Sequence, residues 1–262
     1  MSAVDRLFHV IQDGERFVAV ERAGELRRAS LAAADVFGGY SLAAPVQGGL
    51  GAVTLLAPVR PSKIICVGLN YKDHAAEVHK PLPAEPLLFL KPSTAVIDPG
   101  APIKLPPGVG RVDYEGELAI VIGRRAHRVS QARAWDYIFG LTCMNDVTAR
   151  DLQNKEAQYT RCKGFDTFAP IGPCIAVAAD GRPRSIETRV NGQLRQASST
   201  SQLIFGIEHL VEVITFVMTL EPGDVISTGT PSGVGPIAHG DVVTVTIEGV
   251  GELTNPVAAE SP

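Results

Sequence analysis

The stretch Asp113-Tyr114-Glu115-Gly116-Glu117-Leu118-Ala119-Ile120-Val121-Ile122 sets two glutamates two residues apart at the mouth of an apolar run. Side chains on a strand alternate faces, so Glu115 and Glu117 share one face with Ala119 and Val121. Two carboxylates about 7 Å apart along a strand, entering an apolar layer, repel each other and lose hydration. A divalent cation removes both penalties. Asp146 ends the strand-like run IFGLTCMND and supplies a third carboxylate to complete such a set. Ligands that are all oxygen select Mg2+ or Mn2+, admit Ca2+, and disfavour zinc and copper. The same Glu-x-Glu spacing also describes the wet face of an edge strand.

A second constellation lies in Asn70-Tyr71-Lys72-Asp73-His74-Ala75-Ala76-Glu77. Residues three apart on a helix meet on one face, so Glu77 can orient the imidazole of His74. A histidine held this way is a general base able to take a proton from water. A surface helix with an incidental pair is the alternative. The histidines His9, His79, His127, His209 and His239 have no comparable arrangement, and His209 sits in a periodic helix where its role is structural. Lys163, in Lys163-Gly164-Phe165-Asp166-Thr167-Phe168, is placed either to bind a carboxylate or steady an enolate, or to stand as a solvated loop lysine. Arg150 and Gln153 follow Asp146 by four and seven residues, a spacing that puts all three on one helical face. The segment Ser227 to Gly235 offers backbone N–H groups to an anion. It is no P-loop, since no G-K-[ST] follows, and no dinucleotide fingerprint, since Pro236 and a further strand stand where a helix is required.

These groups need elements to hold them. KIICVG, ending at Gly68, reads as a buried strand, and Tyr71 to His79 as a short helix stopped by Pro81 and Pro83. Residues 87–90, 113–123 and 138–146 read as strands. Residues 147–157 and 206–220 have helical periodicity, the second with Ile207, Leu210, Val211, Ile214, Val217 and Met218 on one face. Val190-Asn191-Gly192-Gln193 predicts a type I′ hairpin, and the tail is strand after strand. RLFHV and ERFVAVE, divided by Asp13 and Gly14, predict a small strand-bearing N-terminal lobe over residues 1–57. A linker at 57–62 leads into a catalytic domain over 58–262. The fold class is strand-rich α+β.

Composition narrows the task. Glycine and proline fill 45 of 262 positions, a surplus that favours turns and short strands over a helical bundle. A net charge of −4 argues against a nucleic-acid partner. No run of about 18 apolar residues predicts a membrane span. The opening MSAVDRLFHVIQDGERF carries Asp5 and no apolar core, so a secretory leader is not expected. Cys66, Cys143, Cys162 and Cys174 form no C-x-x-C pair, which signals neither zinc nor a disulfide framework. A cytoplasmic chain acting on a small metabolite is expected.

Taken in order, VGLNYKDHAAE, FLKPSTA, DYEGELAIVIG, NDVTARDLQ, KGFDTFAPIGP and STGTPSGVG resemble the fumarylacetoacetate hydrolase family over residues 60 to 257. The resemblance implies a mixed, strand-rich β-roll assembled as a homodimer, with its active site beside a flexible lid. It implies that Glu115, Glu117 and Asp146 hold the metal. His74 and Glu77 match the lid dyad that activates water, and Lys163 matches the lysine beside the metal. Arg150, Gln153 and Thr230 fall where family members contact the oxo-acid end of the substrate. The expected activity is metal-dependent hydrolysis of a C–C bond in acylpyruvate-type 2,4-dioxo acids, releasing pyruvate or a related 2-oxo acid. Decarboxylation of oxaloacetate and isomerisation of a 2-hydroxy-dienedioate, as in aromatic catabolism, are alternatives open to the same residues. A domain that only holds a structural cation is the non-enzymatic alternative.

Overall fold

Gly116–Ile122 is buried along its whole length. Its pleat sends Leu118, Ile120 and Ile122 into one core with Phe8, Val10, Ile65 and Leu141, and sends Ala119 and Val121 into a second core with Leu7, Ile64 and Met144. A strand covered on both faces has no polar face to show, which is why ELAIVI reads as a nearly continuous apolar run. The computed structural model describes residues 4–177 and 179–260. Within them Gly116–Ile122 pairs antiparallel with Ile138–Asn145 on one side and with Val225–Ser227 on the other.

Those strands sit inside a 12-stranded mixed sheet. Beyond Val225–Ser227 come Ile64–Val67, in parallel, and then the edge strand Leu88–Lys91. In the other direction Ala169–Val177 pairs with Arg6–Gln12, so the N-terminal meander through Glu15–Arg22, Glu25–Leu31 and Tyr40–Pro45 extends the same sheet. A five-stranded sheet runs Gln193–Ser199, Ser185–Val190, Val242–Ile247, Gly251–Ala259, Ile103–Leu105. It contributes Ile186, Val245, Ile247 and Leu253 to the first core. The strand-rich α+β class is therefore as expected. So is the hairpin at Asn191-Gly192, whose φ values of 53° and 76° are those a type I′ turn needs.

Three expectations change. The run from Asp113 is two strands, because it breaks at Glu115: Val112–Tyr114 belongs to a small sheet with Thr148–Ala149 and Gly235–Pro236, whereas Gly116–Ile122 joins the large one. Residues 147–157 do not form one helix, since Thr148–Ala149 is extended and only Arg150–Gln153 turns helically. Asp146 thus shares no helical face with Arg150 and Gln153. Ile207–Val217 is a helix with Ile207, Leu210, Val211 and Ile214 buried, but Val217 is 63% exposed. The helix stops there, with Met218 at φ −145° and ψ 152°, so its apolar stripe cannot continue.

Candidate metal centre and its cavity

The break at Glu115 builds the site. Glu115 N–H donates to Asn145 Oδ1 at 2.9 Å, and Asp146 N–H donates to the Glu115 carbonyl at 2.8 Å. The ends of two neighbouring strands are thereby stitched together where both chains leave the large sheet. Gly116 lets the facing sheet come close: a Cβ there would lie 2.0 Å from Thr188 Oγ1. Glu115, Glu117 and Asp146 consequently bring carboxylate oxygens within 4.8 Å of one another, all buried. Among the described residues this is the one acidic cluster with metal-holding geometry.

Cations and donors fix each carboxylate. Lys163 Nζ lies 2.7 Å from Glu115 Oε2 and 2.6 Å from Asp146 Oδ2, and Arg150 donates to Glu115 Oε1. Lys91 Nζ donates to Asp146 Oδ1 at 2.6 Å and to the Val147 carbonyl at 3.1 Å. Glu117 Oε2 accepts from Ser227 Oγ at 2.6 Å and from Gly229 N–H at 2.8 Å. Its Oε1 accepts no hydrogen bond among the described residues.

The carboxyls respond in opposite directions. Burial pushes Glu115 up, but Lys163 and Arg150 outweigh it and hold the group at about 2. Glu117 is raised to about 8, first by burial and then by the charges of Asp146 and Glu115. A buried carboxyl that resists ionising beside two anions, with one oxygen unengaged and only neutral donors on the other, marks a local shortage of positive charge at Glu117. An all-oxygen donor set of this kind suits a hard divalent cation, so the triad can bind one.

All nine residues singled out in the sequence line one cavity of about 530 Å3. His74 Nδ1 and Glu77 Oε2 are 2.9 Å apart, joined on the helix Lys72–Glu77. Arg150 is hydrogen-bonded to Gln153 Oε1 and reaches Asp113 Oδ2 at 2.8 Å. Thr230 is differently engaged: its hydroxyl donates to the Gly116 carbonyl at 2.9 Å and accepts from Gln196 Nε2 at 2.8 Å. Val67, Leu69, Leu87, Phe89 and Val234 supply apolar wall.

Two supporting side chains, Lys91 and Asp113, were not picked out from the sequence, and Ser227 was read only as the start of an anion-cradling segment. Lys91 is fully buried against Asp146. Its signal was the strand alternation that puts it on the same face as Phe89, which lines the cavity. Asp113 is fully buried between Arg111 and Arg150, and Ser227 holds Glu117. Arg111, two residues from Asp113, is the local signal for that residue, whereas Ser227 meets Glu117 across 110 positions of chain.

Fold and site together define a mixed β-sheet protein with a buried acidic triad that could bind a divalent cation, in one cavity with a His–Glu pair. The chain belongs to the family described as fumarylacetoacetate (FAA) hydrolase C-terminal, which matches residues 63–258. It is 40% identical over 266 residues to oxaloacetate tautomerase YisK of Bacillus subtilis, covering 96% of this chain and 86% of that protein. Among solved structures, 2-hydroxyhepta-2,4-diene-1,7-dioate isomerase from Mycobacterium marinum matches with TM-score 0.88 and 43% identity, over 98% of this chain and 99% of that one. The 5-carboxymethyl-2-hydroxymuconate delta-isomerase from Mycobacterium smegmatis matches with TM-score 0.88 and 45% identity, over 97% of this chain and all of that one. Members of the family are enzymes. Among the described residues, no helix is long and apolar enough to cross a membrane.

Proposed function

We propose that this chain is a divalent-metal-dependent enzyme that moves a proton on the carbon next to the oxo group of 2-oxo dicarboxylic acids, as a keto–enol tautomerase or double-bond isomerase. The carrying observation is the charge balance of the cavity opposite the His74–Glu77 pair. Asp113, Glu115, Glu117 and Asp146 face Lys91, Arg111, Arg150 and Lys163, so the cluster is neutral when every group is ionised. One divalent cation brings it to an excess of two positive charges, and a dianionic substrate restores neutrality. An acylpyruvate carries one negative charge at neutral pH and leaves the site cationic. The names of two similar proteins support the diacid reading, since oxaloacetate and 2-hydroxyhepta-2,4-diene-1,7-dioate are dicarboxylates.

Glu115, Glu117 and Asp146 would hold Mg2+ or Mn2+. The cation would supply the positive charge that stabilises an enolate oxygen. Lys163 spends two of its protons on Glu115 and Asp146 and keeps the third for the substrate's 2-oxygen. Arg150, fixed by Asp113, Glu115 and Gln153, orients the adjoining carboxylate. Glu77 holds His74 at Nδ1, which leaves Nε2 to take a proton from carbon and return it. Thr230, its hydroxyl engaged by Gly116 and Gln196, steadies the chain between the two glutamates rather than offering its hydroxyl proton to substrate.

The hydrolytic reading uses the same His74 nitrogen on a water molecule and is favoured by the way Glu77 primes the imidazole. A substrate panel separates the two. With cation present, proton transfer on oxaloacetate without pyruvate release from acetylpyruvate supports isomerisation, and cation-dependent pyruvate release from acetylpyruvate supports hydrolysis.

A further inference from the structure

The helix that carries His74 and Glu77 is six residues long and has no side-chain bond capping its N-terminus. A helix that short does not hold its shape alone in water. A solvent-facing pair three residues apart adds only a few tenths of a kcal/mol. Something else must fix the imidazole over the carboxylates.

Two carboxylates of the helix reach outward to one platform. Asp73 accepts from His74 N–H with one oxygen, at 2.7 Å, and from Ser198 Oγ with the other. Glu77 Oε1 accepts from Gly233 N–H at 2.9 Å, while its Oε2 holds His74. Ser198 lies on Gln193–Ser199 and Gly233 on the loop beside that strand. The Gly233 position is tightly set. Its φ is +94°, and a Cβ would stand 2.1 Å from the Arg195 carbonyl oxygen. Its own carbonyl accepts from Tyr114 Oη at 2.7 Å.

Tyr114 and Gln196 connect this platform to the metal strand. Tyr114 immediately precedes Glu115, so its hydroxyl ties the chain at one candidate ligand to the residue whose N–H holds Glu77. Gln196 is fully buried. Its Oε1 accepts from Gly116 N–H at 3.0 Å, between the two glutamates. Its Nε2 donates to Thr230 Oγ1 at 2.8 Å and to the Pro231 carbonyl at 2.9 Å, three and two residues before Gly233.

We infer that Tyr114 and Gly233 are positioning residues: the Tyr114 hydroxyl holds the Gly233 carbonyl and so restrains that residue, whose N–H on the preceding peptide holds Glu77 and so aims His74 at the carboxylate cluster. This rests on the proposed role of His74. Neither residue needs to touch substrate, and both act through Glu77.

The test uses Tyr114→Phe, which removes one hydroxyl and keeps the ring, and Gly233→Ala, which forces the peptide away from Arg195. Amide hydrogen exchange of residues 72–78 is followed with Mn2+ present, alongside kcat, KM and the Mn2+-induced rise in Tm. Exchange in 72–78 rises in both variants, kcat falls on the order of 10- to 100-fold, and KM and the Mn2+ response stay near wild type. A loss carried by KM, or a kcat within about twofold of wild type, overturns the inference even if exchange rises. Should the wild-type protein turn over no 2-oxo acid, the proposed function fails by itself. Exchange at 72–78 then decides the latch, since unchanged protection in both variants removes it.

Discussion

Lys91 places its ammonium 2.6 Å from Asp146 Oδ1, with both side chains buried. Lys163 takes the other oxygen of the same carboxylate. Asp146 is therefore held at both oxygens and cannot swing before a cation arrives, which is the kind of pre-set geometry a metal centre gains from its supporting groups. Removing one member of a buried ion pair leaves its partner uncompensated. Because Asp146 keeps Lys163, Lys91→Met should lower stability by less than the about 3–5 kcal/mol of a fully broken buried pair, read as a fall in the urea midpoint. Excess Mn2+ should recover part of that loss. A midpoint equal to wild type would contradict the role assigned to Lys91.

Glu115 is one of the three candidate cation ligands and anchors Lys163 and Arg150 as well. Glu115→Ala should abolish measurable Mn2+ binding by calorimetry, with the circular-dichroism spectrum of a strand-rich fold retained. Unchanged Mn2+ affinity would defeat the three-carboxylate assignment.

The raised Glu117 gives the cation response a pH signature. Without metal, Glu117 in the folded chain titrates near 8, against 4.5 for an unperturbed group. Between those values the folded chain binds the extra proton, so this group lowers metal-free stability as pH rises through that window. A cation must displace that proton at low pH and finds the carboxylate already free above about 8. The Mg2+- or Mn2+-induced rise in Tm should therefore grow from about pH 6 to about pH 8.5. An increment that is flat or shrinks over that range would count against Glu117 as a ligand. In Glu117→Gln the pH dependence should vanish along with most of the increment.

Gly116 makes a steric prediction. The Cβ of Gly116→Ala would meet Thr188 Oγ1 at 2.0 Å, and that oxygen is buried without a hydrogen-bond partner. Overpacking of this kind costs about 1–3 kcal/mol. Thr188→Ala in the same chain should return much of the loss, giving a favourable coupling in a double-mutant cycle. Strictly additive losses would mean that the two residues do not crowd each other.

What was legible in the sequence follows from how local each signal is. Asn191-Gly192 demands positive φ within two residues, and Glu115-x-Glu117 with the apolar run behind it needs only the strand period, so both are readable on the chain. Six ordered motifs likewise made the family resemblance visible. Residues 147–157 misled because Arg150, Gln153 and Asn154 have helical spacing, while Thr148–Ala149 is pulled into an antiparallel pair with Val112–Tyr114. The break at Glu115 was hidden for a similar reason, since Val112–Tyr114 is drawn into pairs with Thr148–Ala149 and Gly235–Pro236, which lie far along the chain. Lys91 was not singled out because Asp146, 55 residues away, meets it only in the folded chain.

The central claim is that His74 moves a proton on a cation-dependent 2-oxo diacid site. The most direct measurement is the decay of enol absorbance in freshly dissolved oxaloacetate, followed with Mn2+ and then with chelator, for wild type and His74→Ala. The account predicts acceleration by wild type that chelator abolishes. It also predicts a loss on the order of 10²–10⁴-fold in His74→Ala, with Mn2+ affinity unchanged. Decay no faster than the uncatalysed rate at saturating Mn2+, or full acceleration by His74→Ala, would contradict it.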